Sequence, residues 1–425
     1  MKSRVALLFL AALGTTACGV VEPSGLRSPD AARDGSAHAE AGARGDATVG
    51  EAGDAKHDAR TVTYDSSCGK DLQTDPGNCG ACGHDCLGGA CTAGRCQPVV
   101  LVTVPQPGIS SFAVDGTSVY WTSQFTYTDS GLVIYNSGTV SKCSLEGCTS
   151  PTVLASGQKY PDAIWVGGPD LYWNNLNGFA TMHCGTSCTD DATTYFAWED
   201  GSESFFGWGE SPDLAIGATS VFVSTAGGIL ECARDACPTP TVFVTQPNPV
   251  EVALTDAGVY WVNLGEEVGG KSPGYIDGGV NGCPRTGCPD ATPTSLANHL
   301  SYGHGLVVQG GKAYWLEDSL FSCDVKGCDD APTTVLASPE LGPEIQEVAA
   351  DTKDLYLGVA PDEPEGPDAG WQLERCPLAG CPDGATPLAS TPLARTADYG
   401  GPVVVDVTRV YFVSGDRTRI LALAK

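Results

Sequence analysis

Basic residues are scarce in this sequence. Its 425 residues include 23 lysines and arginines against 51 aspartates and glutamates, which gives a formal net charge of −28. A chain of this charge repels nucleic-acid phosphate and bare anionic membrane, so neither is expected as a partner. Uninterrupted helix-forming stretches are also lacking, because 54 glycines and 29 prolines are spread along the chain. This composition excludes an all-α fold.

Long hydrophobic runs are lacking as well. The N-terminal apolar run from Val5 to Leu13 is too short to cross a membrane. Lys2 and Arg4 precede it and small residues follow it, which is the pattern of an export signal over residues 1–17.

The end of this signal, Thr15-Thr16-Ala17-Cys18, resembles a bacterial lipobox, although a leucine is usual where Thr15 stands. The resemblance implies that Cys18 is diacylated and becomes the mature N-terminus, and Gly19 after it implies sorting to the outer membrane. The alternative is an ordinary secretory signal with a stray cysteine. We therefore expect a lipoprotein of the cell envelope or the extracellular surface, held to the membrane only through its lipid.

Residues 18–63 are rich in Ala, Gly, Asp, Ser and Arg and contain almost no aromatic residues. Such a segment buries too little apolar surface to offset its ordering entropy, so we expect a disordered tether. Random-coil scaling gives it a reach of roughly 35–40 Å.

The nineteen cysteines favour an oxidising compartment and fall into three classes. Cys18 stands alone. Six lie close together in a predicted disulfide module over residues 64–97: Cys68, Cys79, Cys82, Cys86, Cys91 and Cys96. The other twelve form six short-range pairs, which we predict to be disulfides: Cys143/Cys148, Cys184/Cys188, Cys232/Cys237, Cys283/Cys288, Cys323/Cys328 and Cys376/Cys381.

Each short-range pair is expected to flank a hairpin loop, where two cysteines can face one another across the strands. Metal binding is the competing interpretation of these pairs, and a redox or zinc site is the competing interpretation of Cys79-x-x-Cys82. The compact cluster resembles the stigma-specific cysteine-rich module, whose Asn-Cys-Gly-x-Cys-Gly core matches residues 78–83. That resemblance implies no activity and leaves the disulfide connectivity open.

An internal repeat occupies residues 98–425. Seven copies of an apolar strand, a polar turn and a second strand with aromatic residues recur about every 48 residues, as in Phe112-Ala-Val-Asp115 followed by Val119-Tyr120-Trp121. A third and a fourth strand follow around each cysteine pair, which predicts the four-stranded blade of a β-propeller. The seventh copy lacks its fourth strand, and an unpartnered strand, Pro98 to Thr103, precedes the first. Pairing of this strand with 418–423 would close the ring, whereas a solenoid would leave both edges open.

The repeat resembles bacterial YWTD- and NHL-like β-propellers, and Trp121-Thr122 matches part of the YWTD signature. No copy carries all four residues of that signature, so the resemblance implies a fold and no ligand. The predicted fold is all-β: a seven-bladed propeller with N/C-terminal strand closure, preceded by a small disulfide-rich module and a disordered tether.

Propeller topology predicts two unlike faces. One carries the short turns and cysteine hairpins, and the other carries every long connection: 123–138, 199–212, 263–278, 338–346, 358–370 and 391–401. Variable loops on a rigid scaffold commonly carry binding specificity. The candidate ligand-binding residues are Tyr127, Trp198, Phe206, Trp208, Tyr275, Tyr302, His304, Trp371 and Tyr399.

Aromatic residues beside carboxylates suit stacking on sugars or a protein epitope, although loop aromatics also fold back into local cores. The loop acids would also suit Ca²⁺, but no Asp-x-Asp-x-Asp-Gly loop occurs and no other cofactor is expected. No His-Glu-x-x-His, Gly-x-Ser-x-Gly, P-loop or Asp-box motif is present, so no catalytic residue is assigned. His304, at the start of an inner strand, would act as a base in a propeller enzyme, but a polar residue lining the channel is the interpretation we favour.

We therefore predict a monomeric, non-enzymatic surface protein that binds an extracellular glycan or protein. A lyase or hydrolase acting on glycans or lactones is the first alternative, and a structural envelope module is the second.

Overall fold

Seven antiparallel four-stranded sheets succeed one another along the chain, each built from consecutive apolar strands. The structure is a computed structural model that describes the following residues: 64–65, 68–105, 108–127, 133–134, 136–197, 211–268, 274–301, 303–328, 331–337, 344–360, 370–392 and 401–425. The predicted signal, Cys18 and the predicted tether lie outside these residues. No helix among the described residues is long and apolar enough to cross a membrane.

The N-terminal strands are short. They are β1 (Tyr64–Asp65), β2 (Lys70–Asp71), β3 (Cys91–Thr92), β4 (Arg95–Cys96) and β5 (Val99–Thr103). Blade 1 contains β6 (Phe112–Val114), β7 (Ser118–Ser123), β10 (Gly138–Ser144) and β11 (Thr152–Gln158), with the hairpin β8 (Thr126–Tyr127) and β9 (Val133–Ile134) inserted. Blade 2 contains β12 (Pro161–Gly167), β13 (Asp170–Asn175), β14 (Ala180–Gly185) and β15 (Thr193–Ala197). Blade 3 contains β16 (Leu214–Ile216), β17 (Ser220–Thr225), β18 (Gly228–Ala233) and β19 (Thr241–Thr245).

The remaining blades have the same order. Blade 4 contains β20 (Pro249–Leu254), β21 (Gly258–Asn263), β24 (Gly278–Pro284) and β25 (Thr294–Leu300), with the hairpin β22 (Glu266–Val268) and β23 (Gly274–Ile276) inserted. Blade 5 contains β26 (His304–Gln309), β27 (Lys312–Leu316), β28 (Leu320–Asp324) and β29 (Thr333–Leu336). Blade 6 contains β30 (Glu344–Ala350), β31 (Asp354–Ala360), β32 (Gly370–Pro377) and β33 (Thr386–Pro392). Blade 7 contains β34 (Val403–Val405), β35 (Arg409–Val413) and β36 (Arg419–Ala424). Two 3₁₀ turns, Leu176–Gly178 and Pro289–Ala291, complete the described elements.

The ring closes as the sequence predicts. Strand β5 pairs antiparallel with β36, with Thr103 opposite Arg419 and Val99 opposite Ala422, and supplies the fourth strand of blade 7. Pairing the two ends of the chain removes the free edges that an open array would expose. The predicted seven-bladed, all-β propeller is confirmed.

The core lies between the blades. Buried apolar residues of the described chain form seven clusters, and each cluster joins two neighbouring blades. Trp173 of blade 2, for example, is fully buried and packs with Tyr120 and Leu154 of blade 1. Consecutive apolar residues along one strand are therefore explained, because neighbouring blades cover both faces of each sheet.

Buried polar side chains join blade 1 to blade 2 and blade 2 to blade 3. Thr122 Oγ1 donates to the Asp162 carbonyl at 2.6 Å, and Asn174 Nδ2 donates to the Pro212 carbonyl at 2.7 Å. Both side chains follow the second-strand tryptophan and are fully buried, so each must be hydrogen-bonded. The threonine in the Trp121-Thr122 pair thus ties blade 1 to the first strand of blade 2.

All eighteen cysteines of the described chain form disulfides. The six predicted short-range pairs are confirmed: Cys143–Cys148, Cys184–Cys188, Cys232–Cys237, Cys283–Cys288, Cys323–Cys328 and Cys376–Cys381. Because both sulfurs of each pair are bonded to one another, none of these pairs offers a thiolate to a metal, and the competing metal interpretation is wrong.

The position of the second cysteine in each pair corrects the expectation that the two cysteines face one another across neighbouring strands. The first cysteine lies in the third strand of its blade, but the second lies outside every strand, in the turn before the fourth strand. These six turn cysteines are Cys148, Cys188, Cys237, Cys288, Cys328 and Cys381. In blade 2, for example, the Cys188 N–H donates to the Gly185 carbonyl at 3.0 Å. Each disulfide therefore closes the turn between the third and fourth strands of its blade.

The N-terminal cysteines, whose pairing the sequence left open, are connected as Cys68–Cys82, Cys79–Cys91 and Cys86–Cys96. Cys79 and Cys82 are bonded to different partners, so the redox-pair interpretation is wrong. The sulfurs of Cys79, Cys86 and Cys96 lie within 4.8 Å of one another, but each is in a disulfide and offers no thiolate to a metal.

This cysteine module packs against blades 6 and 7. Its buried cysteines share a core cluster with Val410, Leu421 and Leu423. Blade 7 has no hairpin between its third and fourth strands, because β5 comes from the other end of the propeller sequence. The module ends at Cys96, directly before β5, so its position at blade 7 follows from the closure of the ring.

Candidate functional site

The first strands of neighbouring blades contact one another and surround the centre of the propeller. Their N-terminal ends lie on the side of the long connections, which we call the long-loop face, and the cysteine turns lie on the opposite side, the cysteine face. At the long-loop end, five charged side chains come together from five blades. This axial cluster consists of Asp162, Asp213, Glu251, Glu347 and Arg417.

Asp213 bridges three blades. It lies directly before β16 of blade 3, and its carboxylate accepts hydrogen bonds from Trp165 Nε1 of blade 2 at 3.2 Å and from the Val252 N–H of blade 4 at 2.7 Å. It also accepts its neighbour's N–H, from Leu214, at 2.8 Å. The carboxylate therefore satisfies backbone N–H groups of two blades at once.

Glu251 makes the same kind of bridge from blade 4 to blade 5. Its two carboxylate oxygens accept the N–H groups of Gly305 at 2.8 Å and Leu306 at 2.6 Å. These residues follow His304, which begins β26 as predicted and is half-buried. The structure therefore brings the chain at His304 to the axial cluster.

Glu347 and Asp162 lie near the guanidinium of Arg417. Arg417 comes from the connection between β35 and β36 of blade 7, and its charge favours the ionised form of both acids. Asp162 Oδ1 also accepts a hydrogen bond from Gln124 Nε2 at 3.4 Å. Arg417 thus places one positive charge among four carboxyl groups.

Burial favours the neutral forms of three acids in the axial cluster, Asp162, Asp213 and Glu347. Burial and the nearby charge of Glu251 raise the pKa of Glu347 to about 8, although Arg417 opposes this shift. Burial likewise raises the pKa of Asp213 to about 7, against the hydrogen bonds it accepts. Burial also raises the pKa of Asp162 and lowers that of Arg417. The side chains are densely surrounded by protein, yet each keeps part of its surface open. Near neutral pH the cluster can therefore donate and accept protons.

Among the described residues, no three carboxylates come within metal-binding distance of one another. The acids of the axial cluster come from separate blades. Asp213 and Glu251 use their carboxylate oxygens to accept hydrogen bonds from backbone N–H groups. The described part of the cluster thus joins neighbouring blades through hydrogen bonds.

Most of the predicted aromatic candidates lie outside the residues whose side chains are described: Tyr127, Trp198, Phe206, Trp208, Tyr275, Tyr302 and Tyr399. Trp371 is described, and its prediction as a ligand contact is wrong. Its ring is fully buried and stacks on Phe412 of blade 7 with centroids 5.6 Å apart. A Cβ on Gly358 of the adjacent strand would lie 2.6 Å from the same ring. Trp371 follows a long connection in sequence but points into the core between blades 6 and 7.

The sequence prediction missed the axial acids, although a signal for three of them was present. Asp213, Glu251 and Glu347 each stand directly before the apolar run that recurs in the first strand of every repeat, which begins here at Leu214, Val252 and Val348. In a single repeat, an acid at this position resembles a solvated residue at the end of a strand. The loop residues were therefore chosen as candidates and these acids were not. The repeat register is what aligns them.

No protein-family model matches this chain, and no curated protein sequence matches it. The chain is similar in fold to solved β-propellers. A catalytically inactive variant of virginiamycin B lyase from Staphylococcus aureus, crystallised with quinupristin, superimposes with a TM-score of 0.52 at 10% identity, covering 77% of this chain and 99% of that chain. The selenomethionine-substituted lyase gives 0.51 at 11% identity, covering 77% and 98%. BamB from Moraxella catarrhalis gives 0.47 at 12% identity, covering 78% and 99%. At these identities the likeness shows the propeller fold alone.

Proposed function

We propose that this protein is a surface-anchored lipoprotein whose propeller binds an extracellular ligand, a glycan or a protein, at the centre of the long-loop face. The observation that carries the proposal is the axial cluster, which lies on the face where every long connection is found. A rigid ring with variable loops around a polar centre is a common design for a binding site.

The chemistry of the cluster favours a ligand rich in hydroxyl groups. Ionised carboxylates accept hydrogen bonds, protonated ones also donate one, and a guanidinium only donates. A glycan hydroxyl both donates and accepts, so it suits a mixed set such as Glu347, Asp162 and Arg417. The predicted loop aromatics would add stacking on sugar faces.

The test is retention of ligand by the full chain on a glycan array and in pull-down from extracellular material. Glu347→Gln removes a titratable group from the axial cluster, and we expect it to weaken retention by about tenfold. Glu146→Gln is the matched control, because Glu146 is an exposed residue in the cysteine turn of blade 1. Retention of nothing above background by the parent protein, or equal retention by the two variants, would refute the proposal. The first of these results would favour a structural envelope module.

Acid–base catalysis is a second candidate function, and the raised pKa values of Asp213 and Glu347 favour it. A lyase or hydrolase acting on glycans or lactones would use one group as base and another as acid. Turnover of such substrates, followed by mass spectrometry across pH 5–9, would distinguish it from binding. Loss of turnover in Asp213→Asn with ligand retention intact is the expected result for an enzyme.

The proposed anchor is tested separately. Metabolic labelling with a fatty acid should mark the full chain and fail to mark Cys18→Ala. Labelling that survives this substitution would refute the lipid attachment and, with it, the proposed place in the outer membrane or at the cell surface.

A further inference from the structure

A cleft lies where the cysteine module meets blades 6 and 7, on the opposite side of the molecule from the long connections. Its volume is about 250 Å³, and both the module and the propeller contribute to its lining. Pro387, Leu388 and Ala424 supply apolar surface to the lining and are at least partly exposed, above the buried side chains of Tyr356, Val410 and Leu423. A cleft of this size, between two separately built parts of a protein, is suited to a small ligand.

The two walls of the cleft are firmly joined. His84 of the module has Nε2 2.8 Å from the main-chain oxygen of Lys425 and Nδ1 2.5 Å from the carbonyl oxygen of Cys79. Arg409 of blade 7 donates from Nη2 to the Leu87 carbonyl at 2.9 Å. These contacts and the shared core of the module fix the shape of the cleft before any ligand arrives.

The lining is cationic in a chain whose net charge is −28. Arg95 on β4 and Arg375 on β32 line the cleft and are exposed, and neither forms an ion pair with any carboxylate that the structure describes. Lys425, by contrast, is already neutralised, because its Nζ lies 2.6 Å from Asp351 Oδ2. Asp351 also accepts a hydrogen bond from the Tyr356 hydroxyl at 3.1 Å.

We propose that this cleft binds a small ligand that carries an oxyanion, with the anion held by Arg95 and Arg375 and an apolar body lying against Pro387, Leu388 and Ala424. A guanidinium offers paired N–H donors that match the oxygens of a carboxylate, sulfate or phosphate. The site is separate from the proposed function at the axial cluster.

Calorimetric titration of the full, disulfide-bonded chain tests the proposal with four probes of one shape: benzoate, phenyl sulfate, phenyl phosphate and the neutral benzamide. We expect at least one anion to bind tenfold or more tightly than benzamide, and the tightest anion identifies the oxyanion class. Arg95→Gln and Arg375→Gln should each lower the affinity for that anion by about tenfold, which is the effect of losing one charge-assisted contact.

Lys312→Gln is the control, because Lys312 is an exposed cation on blade 5 that does not line the cleft. It should change the affinity less than twofold. Arg95→Lys keeps the positive charge, so it should retain more affinity than Arg95→Gln. If both variants lost affinity equally, a folding defect would be the cause. The proposal is overturned if benzamide binds as tightly as the anions, if no probe binds, or if Lys312→Gln weakens binding as much as the arginine variants.

Discussion

Replacing Glu347 with glutamine tests the electrostatics of the axial cluster through the pH dependence of stability. The folded protein holds the pKa of Glu347 at about 8, against an ordinary value of 4.5. Between these values the folded state binds more protons than the unfolded state, so the free energy of unfolding falls as pH rises. Glutamine removes this dependence, because it stays neutral throughout. The variant should therefore gain stability over the parent protein as pH rises from 4.5 to 8.

The magnitude follows from the size of the shift. At ~1.36 kcal/mol per pKa unit, a rise from 4.5 to about 8 corresponds to roughly 5 kcal/mol of disfavoured ionisation. We expect the variant and the parent protein to differ by about 2 kcal/mol in free energy of unfolding, because part of the Glu347 surface is open and water screens its charge. For a domain of this size that difference corresponds to about 4 °C in the unfolding midpoint.

Differential scanning calorimetry at matched scan rates measures this effect at pH 5 and pH 8.5. The midpoint of Glu347→Gln should exceed that of the parent protein by about 4 °C at pH 8.5 and by less than about 1 °C at pH 5. Glu146→Gln, on the exposed cysteine face, should show no such change with pH. Equal differences at the two pH values, or a less stable variant at pH 8.5, would refute the reasoning.

Three further predictions concern the scaffold. Burial opposes ionisation of Asp351, but its hydrogen bonds outweigh this and hold its pKa at about 2, so Asp351→Asn should cost about 2 kcal/mol at pH 7. That difference should vanish in urea titrations as pH falls from 3.8 through 2, and a constant difference would contradict it. Gly358→Ala should lower the free energy of unfolding by about 1–3 kcal/mol, because its Cβ would lie 2.6 Å from an indole ring. Gly116→Ala has open space around its Cβ and is the control, so equal losses would count against the packing argument. Replacing both Cys143 and Cys148 with serine should cost about 2 kcal/mol by denaturant unfolding, and an unchanged midpoint would contradict the stabilising role of the turn disulfides.

Much of the scaffold could be predicted because its signals are local. The second strand of each blade has a recognisable apolar sequence, such as Val119-Tyr120-Trp121. In blades 1 to 6 a cysteine pair follows it. The sequence also shows that the last repeat lacks a fourth strand and that an unpartnered strand, at 99–103 in the structure, precedes the first repeat. Closure follows from these, since unpaired strand edges are unfavourable.

The candidate sites were harder to predict because they depend on where side chains point. Trp371 follows a long connection, yet it fills the core between blades 6 and 7, since alternate residues of a strand face opposite sides. Asp213 and Glu347 look like ordinary strand ends, yet ring geometry points them at the axis. Sequence spacing does not show where Trp371 points, and the repeat register aligns Asp213 with Glu347 without showing that the closed ring brings them together.

By itself, the sequence determined a negatively charged, all-β chain of seven repeats with a short-range cysteine pair in six of them, because strand periodicity, turn composition and short-range spacing are properties of local sequence. Only the tertiary structure decided which residues meet. Closing the ring brought Asp162 to Arg417 across most of the propeller sequence, and docking of the cysteine module placed Arg95 beside Arg375. Contacts between residues so far apart arise from the packing of all seven blades at once, and no local pattern encodes them.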